Sequence, residues 1–286
     1  MIVSGSASQT LATALARELE EPLAAVEYDR FPDGEVLAAV PDFDASRAVI
    51  VASTTSSDAH VELGQLQDAV REAGADEVIT VVPYMGYARQ DKAFEAGQPI
   101  SARAAARMIS AGTDRVLTVN PHERAVCDFF DPPATAVDAA GQLAEPLPGG
   151  LEQPVFLSPD SGAIGLAETV RNAYGEGETD YFEKVRHSGT EVEITPSDVE
   201  IENRDVVVTD DIVATGSTMS EAIEVLTDRG AGRVFVTCVH PLFVSSAYTR
   251  LARAGVEAIY GTDTIERPAS VVSVAPVLAD ALETNG

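Results

Sequence analysis

Valine-rich apolar runs recur along the chain, and three of them repeat a larger pattern: a polar-faced helical stretch, a glycine, then a strand. These are GADEVITVVPY (74–84), GTDRVLTVNPH (112–122) and GAGRVFVTCVHP (230–241). A glycine suits the residue that closes a helix, so Gly74, Gly112 and Gly230 are read as helix ends. Other apolar runs predict strands at 1–3, 48–52, 155–157, 206–209, 256–260 and 271–274. Apolar positions at helical spacing predict helices over 9–20, 60–73, 102–110, 165–173 and 219–229. Alternating strands and helices imply right-handed βαβ units, so the expected fold class is α/β with mainly parallel sheets.

The Pro/Gly-rich stretch DPPATAVDAAGQLAEPLPGG (131–150) divides the pattern into two similar α/β halves, expected at 1–142 and 143–286. Each half is long enough to bury its own core. Ligands of such sheets bind beyond the strand C-termini. The segments 83–92, 120–123, 158–162 and 210–218 all follow strands and carry the chemically loaded residues, which favours an enzyme.

Charge narrows the partners. With 46 Asp plus Glu against 19 Lys plus Arg, the net charge is −27, which excludes a free nucleic-acid binder. The 45% hydrophobic content argues for a folded core rather than disorder. The cations are almost all arginine; Lys92 and Lys184 are the two lysines. Abundant acid with little lysine resembles the cytoplasmic proteins of salt-accumulating halophiles, where a Debye length of about 3 Å at molar salt screens the repulsion. The sequence shows neither a signal-peptide core nor an 18-residue apolar run, so a cytoplasmic protein with no membrane partner is expected. Cys127 and Cys238 lack metal or redox spacing and are read as small buried hydrophobes.

The most specific segment is VVVTDDIVATGSTM (206–219). Its β-branched run suits a parallel strand covered on both faces. Asp210 and Asp211 at the strand end can accept hydrogen bonds from vicinal sugar hydroxyls. Ala214, Thr215, Gly216, Ser217 and Thr218 form a small-residue turn opening a helix, where backbone amides and the helix dipole favour a phosphate. Together they call for a sugar phosphate. An ordinary capped strand–turn–helix would use some of the same residues.

Four other segments carry candidate chemistry. RFPDGE (30–35) joins an aromatic, a turn and an acid, and by itself also suits a surface turn. PYMGYARQDK (83–92) supplies Arg89, Gln90 and Lys92 as donors for a nucleotide. His122 and Asp160 each follow a strand, one in each half; brought together they can hold Mg²⁺ near a triphosphate, directly or through water. YFEKVRHSG (181–189) places Lys184 and Arg186 two residues apart, so that they share a face if the chain is extended there, and a flexible loop can deliver both cations to one phosphate chain. His60 is read as a helix-start surface residue and His240 as a strand-end packing residue; His187 is a neighbour of the loop cations.

Segment 206–219 resembles the phosphoribosyl diphosphate (PRPP) motif of the type I phosphoribosyltransferase fold. RFPDGE, PYMGYARQDK, GQPISARAAARMI, GTDRVLTVNPHERAVCDFF, LSPDSG, the Lys-x-Arg pair, VVVTDDIVATGST and VHPLF occur in an order that resembles the ribose-phosphate diphosphokinase (PRPP synthetase) family over nearly the full length. That resemblance implies two tandem type I phosphoribosyltransferase-like domains and a homo-oligomer built from dimers. It implies ATP contacts from Asp33, Gly34 and Glu35, delivered by a neighbouring subunit, and from Arg89 and Gln90. His122 and Asp160 would serve Mg²⁺, and Lys184 and Arg186 would be the catalytic cations. Arg186, Asp210, Asp211 and 214–218 would bind ribose 5-phosphate. The segment after Asp160 lacks the Gly-Gly and nearby Arg common in bacterial members, Ala214 and Ser217 replace an acid and a glycine of the phosphate loop, and 120–130 looks closer to archaeal members. A PRPP-using transferase accounts for 206–219 but not for Arg89, Gln90 or His122; a non-catalytic PRPP-binding paralogue is expected to lack Lys184 and Arg186.

Overall fold

The computed structural model describes residues 1–186, 192–196 and 199–284, and side chains outside 184–198. The chain divides into two compact units. Unit 1 comprises Met1–Asp138, Asp263–Glu266 and Ser273–Gly286; unit 2 comprises Ala139–Thr262 and Arg267–Val272.

Unit 1 begins with β1 (Ile2–Ser4), α1 (Gln9–Glu18), β2 (Glu27–Arg30), β3 (Val36–Ala39) and β4 (Arg47–Val51). It continues through α2 (Ser57–Glu72), β5 (Glu77–Val82), α3 (Ser101–Ser110), β6 (Arg115–Val119) and β7 (Ala134–Val137). Five strands form one parallel sheet in the order β1-β4-β5-β6-β7. The inner strands β4, β5 and β6 bury every residue but their first, as a parallel sheet with covered faces requires. Val3, Ile50, Val78 and Val116 meet Leu63, Leu66 and Val70 of α2 and Ile109 of α3 in one core. β2 and β3 pair separately as an antiparallel hairpin. Periodicity does not reveal these two strands, because β2 buries none of its four residues.

Unit 2 contains β8 (Val155–Ser158), α4 (Ile164–Tyr174), β9 (Glu178–Arg186), β10 (Val192–Pro196) and β11 (Val206–Ile212). After them come α5 (Ser217–Asp228), β12 (Val234–His240), α6 (Ala247–Arg253), β13 (Ala258–Thr262) and β14 (Ser270–Val272). The sheet order is β10-β9-β8-β11-β12-β13-β14, parallel except for the β9–β10 pair. Val206 and Val208 pack with Met219, Ile223 and Leu226 of α5 and with Leu251 of α6. Val207, between them, is also fully buried, so both faces of β11 are covered.

The last helix, α7 (Ala275–Thr284), belongs to unit 1, where it packs on α1 and β7. Arg115 donates to the Ala281 carbonyl at 2.9 Å. Glu266 accepts the Thr10 amide at 2.6 Å and the Leu11 amide at 3.3 Å, capping α1, whose own Ser8 makes no side-chain cap.

Three local expectations change. Gly74 and Gly230 have φ of 102° and 76°, as helix-closing glycines should, but Gly112 is not in the left-handed region. It is instead a close-approach residue, since a Cβ there would lie 2.7 Å from the Gln67 Cβ. The Pro/Gly-rich stretch is not all linker: residues 134–137 are the edge strand of the first sheet. His60 is half-buried rather than on the surface, its ring tilted 42° to that of Tyr87 with centroids 5.5 Å apart, and burial lowers its pKa.

Candidate active site

The strand order of unit 2 places the candidate residues. From β8 the chain crosses through α4 to β9 on one side; from β11 it crosses through α5 to β12 on the other. The winding therefore reverses between β8 and β11. At such a switch point the loops leave the strand ends in opposite directions and open a crevice. Asp160 lies just beyond β8, and Asp210 to Thr218 end β11 and open α5.

Each feature of the β11–α5 turn has a local cause. The Asp211 amide donates to the Asp210 carboxylate at 2.9 Å, and the Ile212 amide donates to the Asp211 carboxylate at 2.8 Å. Burial pushes the Asp210 carboxyl well above the usual carboxylate range, and the charges of Asp211 and Asp160 push it further. Gly216 adopts φ 71°, and no side chain among the described residues caps α5. The first amides of that helix have no intrahelical acceptor, so its head is suited to an anion. The Thr215 and Ser217 hydroxyls stand 3.3 Å apart at the same place.

Asp160 caps the short 3₁₀ turn Ser161–Ala163 by accepting the Gly162 amide at 3.1 Å. Oxygen donors at this strand end suit Mg²⁺, and a cation near them would relieve the charge that raises the Asp210 pKa. The described residues hold no cluster of three or more His, Cys, Asp or Glu able to cage a metal.

In unit 1, Asp33, Gly34 and Glu35 form the exposed tip of the β2–β3 hairpin. The Phe31 amide donates to the Glu35 carbonyl at 2.8 Å, and Gly34 has φ 96°. Arg30 steadies this tip, donating to the Gly34 carbonyl at 2.6 Å and to Asp58 at 2.6 Å. Arg89 and Gln90 follow β5. Gln90 is committed locally, accepting from Ser101 at 2.5 Å and donating to the Pro99 carbonyl at 3.2 Å, whereas the Arg89 side chain is exposed. Tyr87, at φ 65°, meets the Ser57 hydroxyl at 3.1 Å. The hairpin tip and the Arg89 loop are thus both tied to the first turn of α2, through Asp58 and Ser57. His122 follows β6, the strand next to β5, and is exposed.

Lys184 and Arg186 lie in β9 rather than in a loop, in register with Ile194 and Val192 of β10. Their side chains, and His187 entirely, lie outside the described residues.

Residues 1–112 match the N-terminal domain of ribose phosphate pyrophosphokinase, and residues 135–267 match the phosphoribosyl transferase domain. A ribose-phosphate pyrophosphokinase of Halobacterium salinarum is 65% identical over 283 residues, covering 99% of this chain and 100% of that protein. The chain belongs to the ribose-phosphate pyrophosphokinase family. Another family member, from Methanosarcina mazei, is 44% identical over 98% of this chain and 94% of its own length. The crystal structure of phosphoribosylpyrophosphate synthetase from Mycobacterium smegmatis superposes with a TM-score of 0.84 at 28% identity, covering 100% of this chain and 99% of that one. The fold is therefore that of two phosphoribosyltransferase-type domains with mainly parallel sheets.

One further residue, absent from the sequence motifs, touches the 214–218 turn. Arg250, on α6, donates to the Ser217 hydroxyl. No local signal marks it, because an exposed arginine on a short helix that also carries Arg253 reads as a solvated charge.

Proposed function

We propose that this enzyme transfers the β,γ-diphosphate of ATP to the 1-hydroxyl of ribose 5-phosphate, giving PRPP and AMP. One observation carries the reading: 65% identity to a ribose-phosphate pyrophosphokinase over 99% of the chain, with both characteristic domains matched. The geometry of unit 2 supports it, because carboxylates suited to sugar hydroxyls and an uncapped helix head suited to a phosphate lie on one turn.

In this reading residues 1–142 serve ATP and residues 143–286 serve ribose 5-phosphate and PRPP. Asp210 and Asp211 accept the ribose hydroxyls; Ala214, Thr215, Gly216, Ser217 and Thr218 receive the 5-phosphate. Arg89 and Gln90 contact ATP, Gln90 through a side chain already braced by Ser101. Asp33, Gly34 and Glu35 reach the ATP of a neighbouring subunit in a dimer-based homo-oligomer, and their exposed hairpin suits such an exchange. His122 and Asp160 would each serve Mg²⁺, which would supply neutralisation of charge on the transferring phosphates.

The sugar 1-oxygen bonds to the β-phosphorus as the bond from that phosphorus to the oxygen it shares with the α-phosphate breaks; AMP leaves with that oxygen and the hydroxyl proton is released to solvent. Phosphoryl-type transfer leaves little covalent work to protein groups, so positioning and charge neutralisation supply the rate. Lys184 and Arg186 are the protein cations assigned to that task, with Arg186 also reaching ribose 5-phosphate.

The test is direct. The protein is incubated with ribose 5-phosphate, ATP and Mg²⁺ in molar KCl. Equal yields of AMP and PRPP are expected; ADP would indicate an ordinary kinase, and no turnover would favour a binding protein. No helix among the described residues is long and apolar enough to cross a membrane.

A further inference from the structure

Arg250 and Ser217 are 33 residues apart in sequence, yet the guanidinium Nη1 donates to the serine Oγ. The contact belongs to a docked element. Phe243 and Val244 donate their amides to the carbonyls of Val213 and Ala214, each at 3.0 Å, so the chain leading into α6 is laced to the turn leading into α5. Gly216 sits against α6 as well: a Cβ there would lie 3.4 Å from the Ala247 carbonyl oxygen and from Leu251 Cγ.

The direction of the bond has a chemical consequence. A serine hydroxyl has one proton to give and two lone pairs, whereas a guanidinium can only donate. The bond from Arg250 therefore occupies a lone pair of Ser217 and leaves the serine proton for another acceptor. The Thr215 hydroxyl, 3.3 Å away, is one such acceptor, and an anion at the head of α5 is a stronger one. The same guanidinium adds a positive charge in a chain of net charge −27, and it is the only cationic side chain hydrogen-bonded to residues 214–218 among the described residues.

We propose that Arg250 is a positioning residue for the 5-phosphate of ribose 5-phosphate: it holds Ser217 as a donor and offsets the phosphate charge. This inference rests on the assignment of the 214–218 turn to that phosphate.

The test is calorimetric titration of ribose 5-phosphate, and separately of Mg-ATP, into the full-length protein in molar KCl. The proteins compared are wild type, Arg250→Gln, Arg250→Lys, Ser217→Ala and the Gln/Ala double variant. Arg250→Gln is expected to weaken ribose 5-phosphate by roughly 10- to 100-fold, the range for a hydrogen bond to a charged group, with ATP affinity unchanged. Arg250→Lys should recover part of the loss, and the double variant should lose less than the product of the single losses. In turnover assays KM for ribose 5-phosphate should rise more than kcat falls. Ribose 5-phosphate affinity within twofold of wild type in Arg250→Gln would overturn the proposal and leave the turn's assignment intact. Equal loss of both ligands would mark a general structural role and also overturn it. Wild type failing to bind ribose 5-phosphate at all would remove the assignment of the turn and the proposal together. Should Arg250→Gln not fold, Arg250→Lys decides: KM raised for ribose 5-phosphate alone supports the role, and an unchanged KM overturns it.

Discussion

Asp160 and Asp210 stand at the C-terminal ends of adjacent parallel strands, β8 and β11, where the winding of the second sheet reverses. Burial of Asp210, then the charges of Asp211 and Asp160, raise the Asp210 pKa well above the ordinary carboxylate value of about 3.9. Its folded pKa exceeds its unfolded one. No cost arises at pH values below the unfolded pKa, and stability is lost as pH climbs from there through the folded pKa. Asp210→Asn should therefore raise Tm of the ligand-free protein at neutral pH. The advantage should shrink toward zero near pH 3.5, and PRPP formation should fall sharply. Thermal scans across pH in molar KCl check the first part; an Asn variant no more stable at pH 7 would contradict it.

Gly86 is where the loop bearing Arg89 runs against the residues that follow β4. Its amide donates to Thr54 Oγ1 at 2.9 Å, and a Cβ would lie 2.1 Å from the Thr54 carbonyl oxygen. Gly86→Ala must push the loop bearing Arg89 outward, at a cost of about 1–3 kcal/mol. We expect KM for ATP to rise roughly 10-fold or more with ribose 5-phosphate binding preserved. Gly64→Ala is the contrast: an added Cβ in mid-α2 meets open space, so stability should hold or rise slightly. Steady-state kinetics and denaturation midpoints of the two variants give the comparison.

Lys184→Ala should lower turnover by about 10²- to 10³-fold, the usual loss for a group that stabilises transition-state charge. Binding of ribose 5-phosphate should change little. Single-turnover rates beside equilibrium titration separate the two effects, and near-normal turnover would remove Lys184 from the mechanism.

The net charge of −27 predicts a salt requirement. At 0.1 M salt the Debye length is about 10 Å and acidic side chains repel across the surface; at 1 M it is about 3 Å. Helical circular dichroism and activity should both decline as KCl is dialysed away. Full activity and an unchanged spectrum in dilute buffer would remove the halophilic reading.

The sequence alone determined what is local. Strand and helix periods showed in the apolar pattern, and the Val206–Thr209 run with its two acids and small-residue turn is a strand, carboxylate pair and helix head, because turn chemistry and side-chain period act within a few residues. Tertiary structure decided what depends on pairing between distant segments. Strand order put the reversal between β8 and β11 and so set Asp160 beside Asp210. Packing sent α7 back to the first unit, turned Gly112 into a contact with Gln67, and carried Arg250 to Ser217. Each of these depends on which surfaces meet after the chain has folded, and nothing in a residue's own neighbourhood encodes that.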